Sequence, residues 1–181
     1  MNCFESGNRN EFSIEYVFFD EDRMTEISMY INAKNILSFT RNDKRMTTRW
    51  NLDELVEWLR EFLDNMQETP YPVQVEGNCA AVKDINAREF DTDDDDEFEN
   101  YYTLINDWVW SHTWHHASAG AILADVYFQL VGNQVEISWN NTNPEEGVQF
   151  DEILGCSFVP KDTFINVINR FLKDYAQHWF F

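Results

Sequence analysis

The sequence predicts an α+β fold, in which a mixed or antiparallel sheet packs against about three main helices. Two patterns carry this prediction: segments with alternating apolar residues in both halves of the chain, and three stretches in which apolar residues recur at helical spacing. Of the 181 residues, 44% are hydrophobic and 16% aromatic, so the chain can bury a core despite a net charge of −20. Residues 1–181 are therefore expected to form a single domain.

The first half of the chain begins with predicted strands. Residues 11–20 alternate and are rich in aromatic and β-branched types, and the polar pair after them can turn the chain back into a second strand over 24–32. A third short strand is predicted over 36–41. The basic run that follows, NDKRMTTR, is expected to be a solvated turn and strand edge.

A first helix is predicted after Asn51. This residue can cap the helix, and Glu54 lies three positions further on, as in a capping box. Pro70 and Pro72 end the helix, and only a short strand, VQVEG, is predicted before residue 90. The apolar face of the helix consists of residues at helical spacing, namely Leu52, Leu55, Val56, Leu59, Phe62, Leu63 and Met66.

The most unusual stretch covers residues 89–116. It opens with EFDTDDDDEFE, where eight of eleven residues are acidic, and continues without Gly or Pro into NYYTLINDWVWSHTWHH. Carboxylates are favoured at a helix N-terminus, so a helix is expected to begin within the acidic run and to end at Ala119-Gly120. Its buried face is predicted to include Leu104, Ile105 and Trp108. Four successive aspartates nevertheless exceed what one helix cap can use.

The last third of the chain predicts a hairpin and a helix. AILADVYFQLV and QVEISWNN flank Gly132-Asn133, a two-residue loop typical of a tight hairpin. One more strand is predicted within 148–159, Pro160 suits the first turn of a final helix, and the terminal HWFF is expected to dock on the protein body. The order of elements allows a degenerate repeat of two β-rich and helical halves, 11–66 and 97–179.

The surplus of charge and aromatic residues in 89–116 predicts a surface that binds a basic protein. Carboxylates would pair with the Lys and Arg side chains of the partner, and aromatic residues off the buried face would anchor it. The predicted partner-binding residues are Asp91, Asp93, Asp94, Asp95, Asp96, Glu97, Glu99, Tyr102 and Trp110.

His112 and His116 are the best candidates for metal ligands, because on one helix they would lie a turn apart on the same face. However, Thr113 occupies the position where the helix of a zinc protease has Glu. In addition, no third candidate ligand lies at a spacing typical of a metal-binding motif. The chain has no GxSxG, P-loop or dinucleotide fingerprint. The sequence therefore favours a protein that is not an enzyme and binds neither a cofactor nor a metal.

The charge and the cysteine content limit which classes of partner and which cellular compartment we expect. The net charge of −20 argues against direct binding of nucleic acid or an anionic membrane, since both need Lys and Arg. Cys3, Cys79 and Cys156 show no CxxC spacing, which predicts free thiols in a cytoplasmic protein. The N-terminal residues lack a signal-peptide pattern, and no apolar window approaches the length of a membrane span.

Small size, extreme acidity, the absence of a catalytic motif and cytosolic character together resemble the bacterial immunity proteins of toxin–immunity pairs, such as those of contact-dependent growth inhibition. The resemblance implies a protein that inhibits a cognate toxin, most simply a nuclease, by occluding its active or substrate-binding surface. Separately, the pattern W…H…AxxGAILADVYFQLVGNQVEISW, roughly residues 108–140, is similar to uncharacterised bacterial proteins met around defence loci, a similarity that implies no known activity.

Three alternatives stay open. A DNA mimic would inhibit a DNA-binding protein or a defence nuclease, and it needs carboxylates spread in two rows at phosphate-like spacing. A metal-dependent hydrolase built on the histidines is disfavoured by the missing third ligand, and the charge could also serve solubility alone. The mimic stays open because acidic residues extend along the first helix, namely Glu54, Glu57, Glu61, Asp64 and Glu68.

Overall fold

Two antiparallel sheets and four α-helices make up the described part of the chain, which in the computed structural model covers residues 3–118 and 120–179. The predicted α+β class is confirmed. The strands are β1 (Cys3–Asn8), β2 (Phe12–Phe19), β3 (Met24–Ile31), β4 (Lys34–Asn35), β5 (Ser38–Arg41), β6 (Lys44–Trp50), β7 (Val126–Val131), β8 (Gln134–Asn140), β9 (Val148–Phe150) and β10 (Leu154–Pro160). The helices are α1 (Asp53–Asp64), α2 (Ala80–Ala87), α3 (Asp95–His112) and α4 (Lys161–Trp179), and a short 3-10 helix covers His115–Ser118.

The larger sheet has the strand order β1-β2-β3-β6-β5-β9, with β4 paired to β3. Because side chains alternate between the two faces of a strand, Ile27, Met29 and Ile31 share the buried face of β3, as predicted. The edge strand β9 comes from late in the chain and pairs with β5, where Phe39 lies opposite Phe150. Strands from both halves of the chain therefore belong to the larger sheet. The predicted degenerate repeat, in which the two halves resemble each other, stays a prediction.

The smaller sheet has the order β10-β8-β7, and its strands β7 and β8 are buried on both faces. The predicted hairpin between β7 and β8 is confirmed, and Gly132 adopts the positive φ of +59° that such a turn requires. Phe128 and Ile137 point into the main core, whereas Tyr127 and Glu136 lie on the opposite face, towards α2. This sheet is therefore a middle layer of the molecule.

The helices cover the two sides of this middle layer. α4 packs against β1 and β2 of the larger sheet and against β8 and β10 of the smaller one, burying Phe164 and Phe171 between them. α1 packs against α4 and the 3-10 helix. On the other side, α2 contacts all three strands of the smaller sheet and α3 contacts β7. As a result, α3 is an outer element with one face exposed to solvent.

Several elements were not predicted from the sequence, including β1, β4, β6, α2 and the 3-10 helix, and the single strand predicted within 148–159 is two strands, β9 and β10. β1 pairs with β2 at the edge of the larger sheet, and β6 is an interior strand although the basic run was expected to be a turn and strand edge. β6 buries only Thr48 and directs its charged residues outward, so its apolar signal is weak. Residues 73–77, where the strand VQVEG was predicted, form no strand, so that prediction is wrong. α2 lies in the connection after them and was missed because its buried side chains are small or polar.

Two predicted helix boundaries are wrong. α1 has Leu52 at its N-cap with no side-chain cap, while Asn51 Oδ1 accepts a hydrogen bond from the Asp53 amide (2.9 Å) outside the predicted capping box. α3 ends at His112 rather than at Ala119-Gly120, because Thr113 is extended (φ −128°, ψ 149°). Leu104 was expected to be buried but is 53% exposed, since the buried stripe of α3 runs through Ile105, Trp108 and His112.

The C-terminal residues dock as predicted as far as they are described. The His178 ring stacks on Phe18 (4.1 Å between centroids), and the Trp179 ring meets Phe18 edge-on (5.9 Å). The rest of the predicted HWFF contact, together with Ala119, lies outside the described residues. Within the described ranges, no helix is both long and apolar enough to cross a membrane.

Candidate partner-binding surface

The acidic run begins α3, as predicted, and part of it caps this helix. Asp94 is the N-cap residue, and its side chain accepts a hydrogen bond from the Glu97 amide (3.0 Å). Asp95, Asp96 and Glu97 occupy the first turn, where the helix dipole favours negative charge. The remaining predicted acidic residues, Asp91, Asp93 and Glu99, are exposed like the others. The run therefore has one structural role and leaves several carboxylates in solvent.

The outward face of α3 is the surface opposite the buried stripe. At 100° per residue, helical positions separated by three, four or seven residues fall on the same side, so this face joins the acidic run to the other end of the helix. All its members are exposed, and Trp110 is 65% exposed. They are Asp96, Glu99, Thr103, Asp107 and Trp110.

The acidic run and Trp110 lie at opposite ends of this face. With a rise of 1.5 Å per residue, Asp94 and Trp110 are about 24 Å apart along the helix axis. A standard protein interface of roughly 800 Å² per partner is wide enough to cover both ends. One docked protein can thus meet the carboxylates and the exposed indole together.

Tyr102 flanks this face and has a structural role. Its hydroxyl lies 3.1 Å from both the Arg88 and the Phe90 carbonyl oxygens, so it bonds the loop between α2 and α3. Its ring packs on Phe98 (4.5 Å), and the side chain is half-buried. These contacts explain the position of the Tyr102 side chain without a partner, and only part of its ring is exposed.

Trp110 closes one side of a pocket between α1 and the C-terminal end of α3. Its ring stacks on His116 (3.9 Å, interplanar angle 12°), and the His116 ring meets Trp58 edge-on (6.4 Å). The pocket has a volume of about 300 Å³ and includes Glu61 of α1 in its lining. We refer to it as the aromatic pocket, and its lining includes Trp58, Glu61, Phe62, Trp110, His112 and His116 beside several polar side chains.

The two candidate metal ligands do not lie a turn apart on one helix, so that prediction is wrong. α3 ends at His112, and His116 belongs to the 3-10 helix. His112 is 7% exposed, stacks on Trp108 (4.1 Å) and donates from Nδ1 to the Trp108 carbonyl (2.9 Å). Among the described residues, no group of three or more His, Cys, Asp or Glu side chains is placed to hold a metal ion.

The three neighbouring histidines differ in their protonation. Burial lowers the pKa of His112, despite the hydrogen bond to Trp108. Burial and the neighbouring His115 lower the pKa of His116. In contrast, the hydrogen bond from His115 Nδ1 to Asp125 Oδ1 (2.5 Å) raises the pKa of His115. At neutral pH the aromatic pocket is therefore lined by uncharged imidazoles.

Replacing His112 by Phe is expected to make stability less sensitive to acid. The pKa of His112 is lower in the folded protein than the ordinary value of 6.5, so the unfolded chain takes up the proton first as the pH falls. The free energy of unfolding therefore decreases as the pH falls below about 6.5. The decrease is about 1.4 kcal/mol for each tenfold difference in proton affinity between the unfolded and the folded state. Urea unfolding between pH 7.5 and pH 5, values that bracket a pKa of about 6.5, measures this loss.

The Phe variant keeps the ring stacking on Trp108 and removes the titrating group, so its stability is expected to fall less than that of the wild type over this range. His115→Gln is the matched control and is expected to change the pH dependence in the opposite sense, because the pKa of His115 is raised. Parallel pH profiles for the wild type and His112→Phe would contradict the assignment.

A buried network behind α3 was missed from the sequence. Asp84 of α2 is 4% exposed, and its Oδ1 accepts a hydrogen bond from the Tyr71 hydroxyl (3.0 Å). Its Oδ2 accepts from the Tyr127 hydroxyl (2.9 Å) and from Arg88 Nε (3.1 Å). Burial, followed by the charge of Asp84, raises the pKa of both tyrosines. The network joins α2 to β7 and to the segment before α2, and so fixes the layer on which α3 rests.

The chain was compared with protein-family models, with curated proteins and with solved structures, and none of them matches it.

Proposed function

We propose that the protein is an acidic binding protein that neutralises a basic partner, and specifically an immunity protein that inhibits a cognate bacterial toxin, most simply a nuclease, by covering its active or substrate-binding surface. The observation that supports this most is the outward face of α3. It carries exposed carboxylates from Asp96 to Asp107 and ends in Trp110, while the buried stripe of the same helix holds the fold.

The physical basis is complementarity to a surface that binds phosphates. A nuclease presents Lys and Arg where its substrate lies, and a protein with a net charge of −20 attracts such a surface over long range. Carboxylates that exceed the needs of the helix cap remain available for ion pairs. Tryptophan, together with tyrosine and arginine, is enriched among the few residues that carry most of the binding energy of protein interfaces.

The same proposal places the protein in the cytoplasm, where an immunity protein meets a toxin that has entered the cell. Three free thiols are compatible with a reducing compartment. The proposal involves no chemistry, cofactor, direct nucleic acid contact or membrane contact, because inhibition by occlusion requires only the protein surface. The most informative observation is whether the preceding reading frame encodes a toxin.

Removing the charge of the acidic run is expected to slow association with that toxin. The variant combines Asp93→Asn, Asp94→Ser, Asp95→Asn and Asp96→Asn, and Ser at the N-cap keeps a capping oxygen. We expect the association rate constant to fall by about tenfold at low ionic strength, with little difference at high ionic strength. The free energy of unfolding should change by less than about 1 kcal/mol. Stopped-flow fluorescence and urea unfolding measure the two quantities.

A control variant with the same change in net charge separates local from global electrostatics. Four exposed carboxylates outside α1 and α3 are replaced by amides for this purpose, in Glu5→Gln, Glu11→Gln, Glu145→Gln and Glu146→Gln. The control is expected to slow association less than the variant of the acidic run. Equal rates for the two variants, or no binding of the adjacent toxin at all, would remove the acidic run from the proposed interface.

A DNA mimic is the second candidate function, and the arrangement of α1 favours it. Glu54, Glu57, Glu61 and Asp64 are exposed and fall on one side of this helix, next to the aromatic pocket that α1 shares with α3. The two helices thus present two rows of carboxylates. A mimic is expected to bind several unrelated DNA-binding proteins and to be displaced by duplex DNA, whereas an immunity protein is expected to bind its own toxin selectively.

A further inference from the structure

We propose that the aromatic pocket binds an arginine side chain of the basic partner. This inference rests on the proposed function and specifies its chemistry: the acidic face attracts the partner, and the pocket receives one guanidinium group as an anchor. The sequence placed Trp110 in the binding surface, but the other walls of the pocket come from separate elements of the fold.

The pocket is built from aromatic rings on three elements. Trp58 and Phe62 of α1 stack on each other (5.3 Å between centroids, interplanar angle 13°) and are largely buried, so they form a fixed floor. Trp110 of α3 and His116 of the 3-10 helix form the stacked wall. The Trp58 indole N–H also points towards the Trp110 carbonyl (3.5 Å), which connects the floor to the wall. A ligand would meet a largely preformed site.

The charges at the pocket favour a cation. Glu61 lies in the lining and is exposed, and both Glu61 and Glu54 act electrostatically on His116. Burial and His115 lower the pKa of His116, so this wall is uncharged at neutral pH and does not repel a positive ligand. The faces of tryptophan rings attract cations, by about 0.5–1 kcal/mol at exposed sites and about 2 kcal/mol when water is excluded.

Arginine fits these features better than lysine or an apolar side chain. The guanidinium group is flat, is less strongly hydrated than an ammonium group and stacks on aromatic rings. It can donate several hydrogen bonds to one carboxylate, and Glu61 supplies that carboxylate at the rim. An apolar side chain would gain contact with the rings but would leave the Glu61 carboxylate without an ion-pair partner.

The test is an NMR titration of the whole protein with short peptides. The probe is acetyl-Gly-Arg-Gly-amide, and the control is the peptide with citrulline, an uncharged analogue of arginine of nearly the same shape. We expect saturable shifts of the Trp58 and Trp110 indole N–H signals, assigned with Trp→Phe variants. Binding of the citrulline peptide should be weaker by about three- to thirtyfold, the range that corresponds to a cation–aromatic contact.

Two matched pairs of variants locate the site. Trp110→Ala is expected to weaken binding of the arginine peptide by about three- to thirtyfold, whereas Leu104→Ala, which removes another exposed apolar side chain of α3, should leave it unchanged. Glu61→Gln should weaken binding, and Glu57→Gln, at an exposed position of α1 outside the pocket lining, should have little effect. Equal binding of the citrulline and arginine peptides, or an unchanged titration of Trp110→Ala, would overturn the proposal.

Kinetics with the toxin distinguish failure of this inference from failure of the proposed function. Trp110→Ala is expected to increase the dissociation rate of the complex, while loss of the acidic run mainly slows association. If Trp110→Ala changes neither the peptide titration nor the dissociation rate, but the acidic-run variant still associates slowly, the pocket assignment is wrong and the proposed function stands. If the arginine peptide binds and no adjacent toxin does, the proposed function is wrong.

Discussion

Trp108→Ala is expected to lower the free energy of unfolding by about 3–5 kcal/mol. The indole is 4% exposed, meets the Tyr71 ring edge-on (4.9 Å) and stacks on His112 (4.1 Å). Its Nε1 donates a hydrogen bond to the Thr69 carbonyl (3.0 Å), so truncation removes a buried contact surface and also leaves this oxygen with one donor fewer. Equilibrium unfolding in urea, followed by circular dichroism, measures the loss.

Trp110→Ala is the matched control for this prediction, since it makes the same substitution two positions further along the same helix. Its side chain is 65% exposed and its main ring contact is with His116 at the surface, so the expected change is within about 0.5 kcal/mol. A loss below about 1 kcal/mol for Trp108→Ala, or equal losses for the two variants, would contradict the orientation of α3 on which the binding surface depends.

Asp84→Ala is expected to cost about 2–4 kcal/mol. The substitution leaves the hydroxyls of Tyr71 and Tyr127 without their buried acceptor and removes the ion-pair partner of Arg88. The Arg88 side chain is 43% exposed and can regain water, so most of the cost comes from the tyrosines. Asp84→Asn, which keeps one acceptor oxygen, should cost less, and urea unfolding again provides the measurement.

A double-mutant comparison tests the origin of this cost. In a protein that already carries Tyr71→Phe and Tyr127→Phe, no buried hydroxyl depends on Asp84, so Asp84→Ala is expected to cost less than it does in the wild type. Equal costs in the two backgrounds would show that the tyrosine hydrogen bonds do not carry the effect. Because Asp84 lies behind α3 and outside the binding surface, association with a toxin should change little in variants that remain folded.

Elements with a strong apolar period could be predicted from the sequence. β3 alternates between buried and half-buried residues along its length, and α4 buries Phe164, Ile168, Phe171 and Tyr175 at helical spacing. α2 could not be predicted, since it buries alanines and Asp84 and has almost no large apolar residues. Its N-terminal amide at Ala80 is bonded by Glu136 from β8 (2.6 Å), a contact that only the tertiary structure creates.

The candidate site could be predicted only in part, for related reasons. The acidic run is visible in the sequence, and its exposure follows from its charge. Trp108 is buried and Trp110 is exposed because of the rotation of α3 about its own axis relative to the smaller sheet, which the sequence does not give. The aromatic pocket could not be inferred, because the chain breaks out of the helix at Thr113 and brings His116 back onto Trp110. No local pattern predicts that reversal.

The pairing of β5 with β9 leaves one strand edge unpaired while the chain is being synthesised. β1, β2 and β3 can form as a local meander early in synthesis, but the hydrogen-bonding edge of β5 stays open until Val148–Phe150 emerge from the ribosome. An open edge is a template for pairing with other chains. We therefore expect an interval of aggregation risk during synthesis, in which repulsion between chains of high negative charge opposes their association.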